Sequence, residues 1–181
     1  MTLMAAPTLE LVDMGDRTQL RRTFGAFPTG VTIVTVGGNA PRGMTANSFT
    51  SVSLEPPLVL ICVNKDAIMH GSLLRSDTFS VSVLSSGHET VARHFANSRR
   101  PAGADQFHDV EWIPGRATDA PLISGAVAHF ECEKWAGYDG GDHTIFLGKV
   151  LSAARQPEEE AILFAGGRFR ALADRPEGGL A

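Results

Sequence analysis

Between Thr45 and Ser53 the chain reads Thr-Ala-Asn-Ser-Phe-Thr-Ser-Val-Ser, which is six small polar side chains in nine residues, just ahead of Pro56-Pro57. Small donors and acceptors in an extended segment leave backbone N–H and C=O groups open to a flat polar ring carrying imide groups. The same residues would also make a hydroxyl-rich edge strand facing water, and residue types alone leave both readings open. Gly140-Gly141-Asp142-His143-Thr144 is a second candidate. Either it is only a Gly-Gly hairpin turn, or it places His143 at a loop-to-strand junction pointing into a cleft. In Gly166-Gly167-Arg168-Phe169-Arg170 two glycines permit close backbone approach and two arginines could meet phosphate. The plainer alternative is a turn with solvated arginines. Asn64-Lys65 follows an apolar run, so Lys65 is either a phosphate contact or part of a polar strand end.

Other chemistry has no support in the sequence. It contains no Gly-x-Gly-x-x-Gly, no phosphate-loop pattern, no Gly-x-Ser-x-Gly elbow, no Cys-x-x-Cys and no His-Glu-x-x-His. His129 and Glu131 share a strand face, and packed, hydrogen-bonded strand residues are the simpler account of them than a metal site.

These residues need strands to hold them. Val31 to Val36 is rich in β-branched residues, and Leu58 to Val63 is a continuous apolar run read as a central strand. Thr78 to Leu84 alternates Phe79, Val81 and Val83 against Thr78, Ser80 and Ser82. Arg42 to Leu54 is taken as one run, and Ala126 to Trp135 and Thr144 to Ser152 as two long strands joined through 136–142. Shorter strands are expected at Val110 to Ile113 and Ala161 to Ala165. Helices are expected from Asp16, with Gln19 reaching back and Leu20 and Phe24 on one face. Two more are expected over Asp66 to Arg75, with Ile68, Leu73 and Leu74 inward, and over His88 to Ala96. The pattern is mainly β, about seven or eight strands with two or three short helices, and it lacks the alternating helices of a parallel sheet. An antiparallel barrel or sandwich follows.

The chain has 181 residues, enough for one domain, expected over 16–172 with a flexible leader at 1–15 and a flexible tail at 173–181. Sixteen Lys and Arg against 20 Asp and Glu give a net charge of −4, which offers no basic field for nucleic acid. The longest apolar runs are too short to span a membrane, and the N-terminus does not read as a secretory signal. Cys62 and Cys132 sit in apolar runs and read as buried thiols of a cytoplasmic protein rather than a disulfide.

Taken in order, FPTGVTIVTV at 27–36, GMTANSFTSVSLEPPLVLICV at 43–63, TFSVSVL at 78–84, HFA at 94–96, GDHTIFLGKV at 141–150 and GGRFR at 166–170 resemble the short-chain flavin reductases. These are the reductase components of two-component flavin-dependent monooxygenases, here most similar to those of actinomycete secondary-metabolite pathways. The resemblance implies a Greek-key split β-barrel, a homodimer, and NAD(P)H-dependent reduction of FAD or FMN, with FAD and NADH favoured over FMN and NADPH. The reduced flavin would pass to a separate monooxygenase. Carried over by position, it puts Thr45, Ala46, Asn47 and Ser48 at the flavin ring and Ser51 and Ser53 further along that wall. Pro28, Thr29 and Gly30 would lie near the ring or ribityl chain, and Asn64 and Lys65 toward the phosphate. His143 would sit by the nicotinamide. Phe169 stands where relatives often carry Tyr, so the ring is kept and the hydroxyl lost.

In such an enzyme the cofactors carry the hydride and the protein positions them. No obligatory catalytic residue is expected, and His143 assists. A non-catalytic flavin carrier or sensor on the same barrel is the alternative. A split-barrel oxidase acting on a pyridoxal-type phosphate is a further rival, and the TANS and GDH strings fit it less well.

Overall fold

The computed structural model describes residues 9–172. The first part of the expected leader, 1–8, and the expected tail, 173–181, lie outside them. Helix α1 spans Arg17–Phe24, capped by Asp16, whose carboxylate accepts from the N–H groups of Thr18 and Gln19. The Gln19 side chain turns to the Asp13 N–H instead of closing a capping box. Strands β1 (Thr29–Gly30), β2 (Thr32–Val36), β3 (Arg42–Ala46), β4 (Thr50–Leu54) and β5 (Pro57–Asn64) follow. Helix α2 is Ile68–Arg75, β6 is Thr78–Val83 and α3 is Glu89–Ala96. Then come β7 (Trp112–Pro114), β8 (Pro121–Ile123), β9 (Ala128–Gly140), β10 (His143–Arg155), β11 (Leu163–Ala165) and β12 (Arg168–Arg170).

Seven strands form one antiparallel sheet in the order β3-β2-β6-β9-β10-β5-β4, beside a three-stranded β1-β11-β12 sheet and the β7-β8 pair. Consecutive strands β3 and β4 thus stand at opposite edges of the large sheet. Only Asn47-Ser48-Phe49 joins them, so the sheet must curl until its edges approach. The result is a barrel left split where those three residues cross. Its interior holds Val34, Ile61, Phe79, Val81 and Phe146, closed at one end by Met69 and Leu73 of α2. A second core under α3 gathers Val31, Ile33, Leu84, Phe95 and Ile123. Among the described residues no helix is long and apolar enough to cross a membrane.

Several sequence expectations are corrected. The 42–54 run is two strands, because the Asn-Ser-Phe segment leaves one edge for the other. On α2 the inward pair is Met69 and Leu73, at i, i+4 spacing, while Ile68 and Leu74, one residue round from each, face out. On α1 Leu20 is only half-buried and Phe24 is exposed. β5 is not central but next to the edge strand, and its burial alternates: Val59, Ile61 and Val63 point inward, and Leu58, Leu60 and Cys62 are half-covered. The two long strands run on through 136–140 to a two-residue turn, and β8 and β12 were not anticipated. The expected strands near 110 and 161 begin two residues later.

Ser80 and Ser82 are as buried as the apolar residues between them, because the 115–123 segment covers that face. The Ser80 hydroxyl meets that of Thr118 at 2.7 Å, and Ser82 Oγ accepts from the Ile123 N–H at 3.1 Å. Buried Glu131 accepts from Ala117 N–H, Thr118 N–H and the Thr118 hydroxyl at 2.8 to 2.9 Å. Burial and Glu131 push the Cys132 thiol up to about 12. Burial also holds the His129 imidazole below its ordinary 6.5, against an opposing pull from Glu131. A lowered folded value means the unfolded chain takes up the proton first. This contribution is therefore full above pH 6.5 and is lost as pH falls through the folded value. Denaturant midpoints should drop through that window, with a shallower slope in His129→Gln.

Candidate functional site

Three adjoining hollows surround the end of β3. One of about 220 Å³ is bordered by Met44, Thr45, Ala46, Asn47, Ser48, Cys62, Asn64, Ala67 and His143. A second of about 180 Å³ lies between Thr45-Ala46-Asn47 and the aromatic rings of Phe164 and Phe169. The third, about 350 Å³, runs from Met44 and Thr45 to the start of α2 and the loop after α3. The small polar segment is therefore a wall between cavities. Its residues reach it for a topological reason: the chain leaves β3 there and crosses the split.

The four TANS residues divide by what their side chains touch. The Thr45 hydroxyl donates to the Ala92 carbonyl at 2.7 Å and pins the wall to α3. Ser48 Oγ accepts from the Cys62 N–H at 2.9 Å and donates to the Cys62 carbonyl at 3.0 Å. It acts as a neighbouring strand for β5 beyond the last β4 partner, Leu60. Ala46 is buried and supplies only backbone and a methyl. Asn47 is exposed, and its side chain makes no hydrogen bond among the described residues. Asn47 is thus the residue of the four with its polar group free for a ligand. Ser48→Ala should cost about 1 kcal/mol of stability, read from denaturant unfolding, by leaving the half-covered Cys62 N–H and C=O unpaired.

His143 opens β10, opposite Gly140 on one side and Asn64 on the other. The turn between β9 and β10 is Gly141-Asp142, with Gly141 at φ 77°, where a side chain would be strained. His143 Nδ1 lies 2.6 Å from Asp142 Oδ1. That carboxylate accepts the Nδ1 proton, so the neutral ring keeps Nε2 as an acceptor. The same bond holds the Asp142 carboxyl below its ordinary range.

Lys65 is engaged elsewhere. Its ammonium donates to the Asp139 carboxylate and, at 2.6 Å, to the Gly141 carbonyl, while its backbone N–H bonds Asp142 O at 3.0 Å. Lys65 therefore ties the end of β5 to the hairpin that carries His143. Asn64 lines the His143 hollow and uses Oδ1 to accept from the Asp66 N–H at 2.8 Å.

Thr29 sits in β1 opposite Phe164, and Phe164 packs edge-on against Phe169 with ring centroids 5.2 Å apart. The Thr29 hydroxyl oxygen is buried and has no hydrogen-bond partner among the described residues. Such an orphan calls for a missing polar group. Pro28 and Gly30 flank it and are exposed. Ser51 and Ser53 do not border the three hollows. Ser51 faces Val59, three residues or about 10 Å along β5 from Cys62, and Ser53 Oγ accepts from Glu55 N–H.

Sequence reasoning missed Met44, Cys62, Ala67 and Ala96, which border the hollows from neighbouring elements. Nothing in their types distinguishes them from core residues. It also missed Arg42 and Arg100 in the third hollow. A separate groove of about 350 Å³ between the β9–β10 hairpin and the end of α2 is lined by Leu74, Trp135, Tyr138 and Phe146. Lys134, its basic residue, is committed to the carbonyls of Leu73, Leu74 and Ser76 at the end of α2. That groove holds no predicted site residue.

A flat ring of imide character fits this arrangement. Small side chains admit it, Asn47 offers an unused polar group, and His143 and Phe169 stand on either side of the wall. Comparison with known proteins agrees. Residues 24–173 match the profile of the family described as flavin reductase like domain. The chain is 63% identical to an NADH-dependent FAD reductase of Streptomyces globisporus, over 98% of both chains. Its fold superposes with a TM-score of 0.89 on the Streptomyces globisporus C-1027 NADH:FAD oxidoreductase SgcE6 solved with NAD and FAD fragments, at 61% identity, covering 94% of this chain and all of that one. The flavin reductase component of a bacterial two-component tryptophan halogenase, BorF, gives 0.85 at 52% identity over 88% of this chain and all of that one.

Proposed function

The chain belongs to the flavin reductase like domain family, and from that premise we propose that it oxidises NADH to reduce FAD, releasing the reduced flavin to a separate monooxygenase. FMN and NADPH are the lesser substrates. The observation that carries the reading is the wall at Thr45-Ala46-Asn47-Ser48, with the Asn47 amide unbonded, open to hollows on two sides, with His143 on one and Phe169 on the other.

Bound together, dihydronicotinamide and flavin supply the hydride chemistry between them. The protein's part is placement. The wall between Thr45 and Ser48, pinned through Thr45 to α3 and through Ser48 to β5, gives the flavin ring a rigid bed. Asn47 fixes its polar edge, and Thr29 lies near the ring or ribityl chain, opposite Phe164. His143 presents Nε2, with Asp142 setting its orientation, to a carboxamide N–H of the nicotinamide. Phe164 and Phe169 exclude water from the other side. Ser51, Ser53 and Lys65 contribute to the scaffold around the site.

We place the protein in the cytoplasm as a homodimer acting in secondary metabolism. Free Cys62 and Cys132 fit a reducing compartment. Exposed Val52 and Leu54 on the edge strand β4, beside the half-covered outer face of β5, are apolar surface that a second subunit would cover. Sedimentation at micromolar concentration should give a dimer, and a fully active monomer would contradict this. The functional reading is tested by steady-state NADH oxidation with each flavin in turn, FAD giving the highest kcat/KM.

A further inference from the structure

The tip of the β9–β10 hairpin, from Asp139 to Asp142, has no strand beside it. On one side β5 ends at Asn64, opposite His143. On the other, β6 pairs with β9 only as far as Glu133. Among the described residues, hydrogen bonds to the tip from outside the hairpin come from Lys65 alone. Its ammonium takes the Asp139 carboxylate and, at 2.6 Å, the Gly141 carbonyl, and its backbone N–H takes the Asp142 carbonyl at 3.0 Å. One residue thus grips the incoming strand and both residues of the turn. Arg17 of α1 adds only a longer ion pair, 3.7 Å, to Asp142 Oδ2.

Lys65 is itself well rooted. It follows Asn64, whose carbonyl accepts from the Ala67 N–H at 3.0 Å and whose Oδ1 accepts from the Asp66 N–H at 2.8 Å. The bond and the charge of Lys65 hold the Asp139 carboxyl below its ordinary range, so its partner stays a carboxylate at neutral pH. His143 depends on this tip twice over. Its backbone continues from Asp142, and its ring is oriented by the Asp142 carboxylate at 2.6 Å. A shift at Gly141 or Asp142 therefore moves or turns the imidazole. An exposed ion pair adds little to the stability of a fold, so the consequence of this clamp belongs to turnover rather than to unfolding.

We propose that Lys65 is a positioning residue for NADH oxidation: by fastening the Asp139–Asp142 tip to the end of β5, it sets where His143 presents Nε2. The inference rests on the functional reading above, in which His143 meets the nicotinamide.

The test compares steady-state NADH oxidation and flavin titration in wild type, Lys65→Met, His143→Ala and the double variant. Lys65→Met should lower kcat/KM for NADH about 5- to 20-fold, the scale expected when a contact group is present but displaced. Its affinities for FAD and riboflavin should stay within about twofold of wild type, because the wall at Thr45 to Ser48 is untouched. In the His143→Ala background the same substitution should change kcat/KM by less than about twofold, since the group it positions is gone. Asp139→Asn, which loosens one of the three anchors and leaves β5 intact, should give a smaller loss with the same dependence on His143, and it carries the test should Lys65→Met fail to fold. Equal losses with and without His143 would overturn the proposal. So would an unchanged kcat/KM. A fall in FAD affinity with riboflavin affinity intact would overturn it as well, and would return Lys65 to the phosphate. A wild type that oxidises no NADH would sink the functional reading; a wild type that turns over normally beside a fully active Lys65→Met sinks this proposal alone.

Discussion

Asn47→Leu should leave the protein folded and reduce its flavin affinity at least tenfold. Asn47 is exposed and bonded to nothing among the described residues, so its loss costs the fold little. It is also the polar side chain of the wall that both smaller hollows share and that no neighbour uses. Losing a ligand hydrogen bond costs about 1–3 kcal/mol, or roughly 5- to 150-fold in affinity. A bulky apolar group against the ring adds steric cost. Titration of flavin fluorescence, with unfolding curves as control, reads both quantities. Wild-type affinity in a folded variant would return the segment to a plain water-facing strand.

The second large effect is kinetic. His143→Ala should lower kcat/KM for NADH about 10- to 100-fold, equivalent to about 1.4–2.8 kcal/mol of transition-state stabilisation, while flavin affinity stays nearly unchanged. His143 is held by a rigid strand, paired on both sides, and oriented by Asp142. Residual turnover should remain, because the two bound rings carry the hydride themselves. Complete inactivation of a folded, flavin-binding variant would assign His143 an acid or base role. A parallel loss of flavin affinity would move it to the flavin pocket.

The site was largely legible where chemistry lay in contiguous residues. Thr45 to Ser48 reads as an unusual string and proves to be a wall, and the Gly-Gly turn read at Gly140-Gly141 falls one residue later, at Gly141-Asp142. What could not be read was which of those hydroxyls are already spent. Ser48 looks like a ligand group by type, yet its hydroxyl is spent on Cys62, fourteen residues away. Lys65 looks like a phosphate contact until the hairpin returns Asp139 to it, 74 residues later. Ser51 and Ser53 share the composition of the wall but lie past the crossing, on the other edge of the sheet. Arg42 and Arg100 are joined only by the packing of α3 against β3, a contact no local pattern encodes.

The fold shows the same division. Alternation placed β6, and strand-like runs placed much of β9 and β10, but neither could show that the 115–123 segment folds over Ser80 and Ser82 and buries the polar face as well. Spacing on α2 allowed either of two faces, and the barrel end chose Met69 and Leu73. The apparent single strand from 42 to 54 was the largest misreading. Its cause is the crossing at Asn47-Ser48-Phe49, the place where the barrel splits and the site forms.

The central claim, that this chain is a turning-over NADH-dependent flavin reductase, is tested most directly by following NADH oxidation at 340 nm with FAD in large excess over protein. The account predicts many turnovers per protein, with rate proportional to protein concentration. One equivalent of NADH consumed, or none, with flavin still bound, would make the protein a flavin carrier or sensor and contradict it.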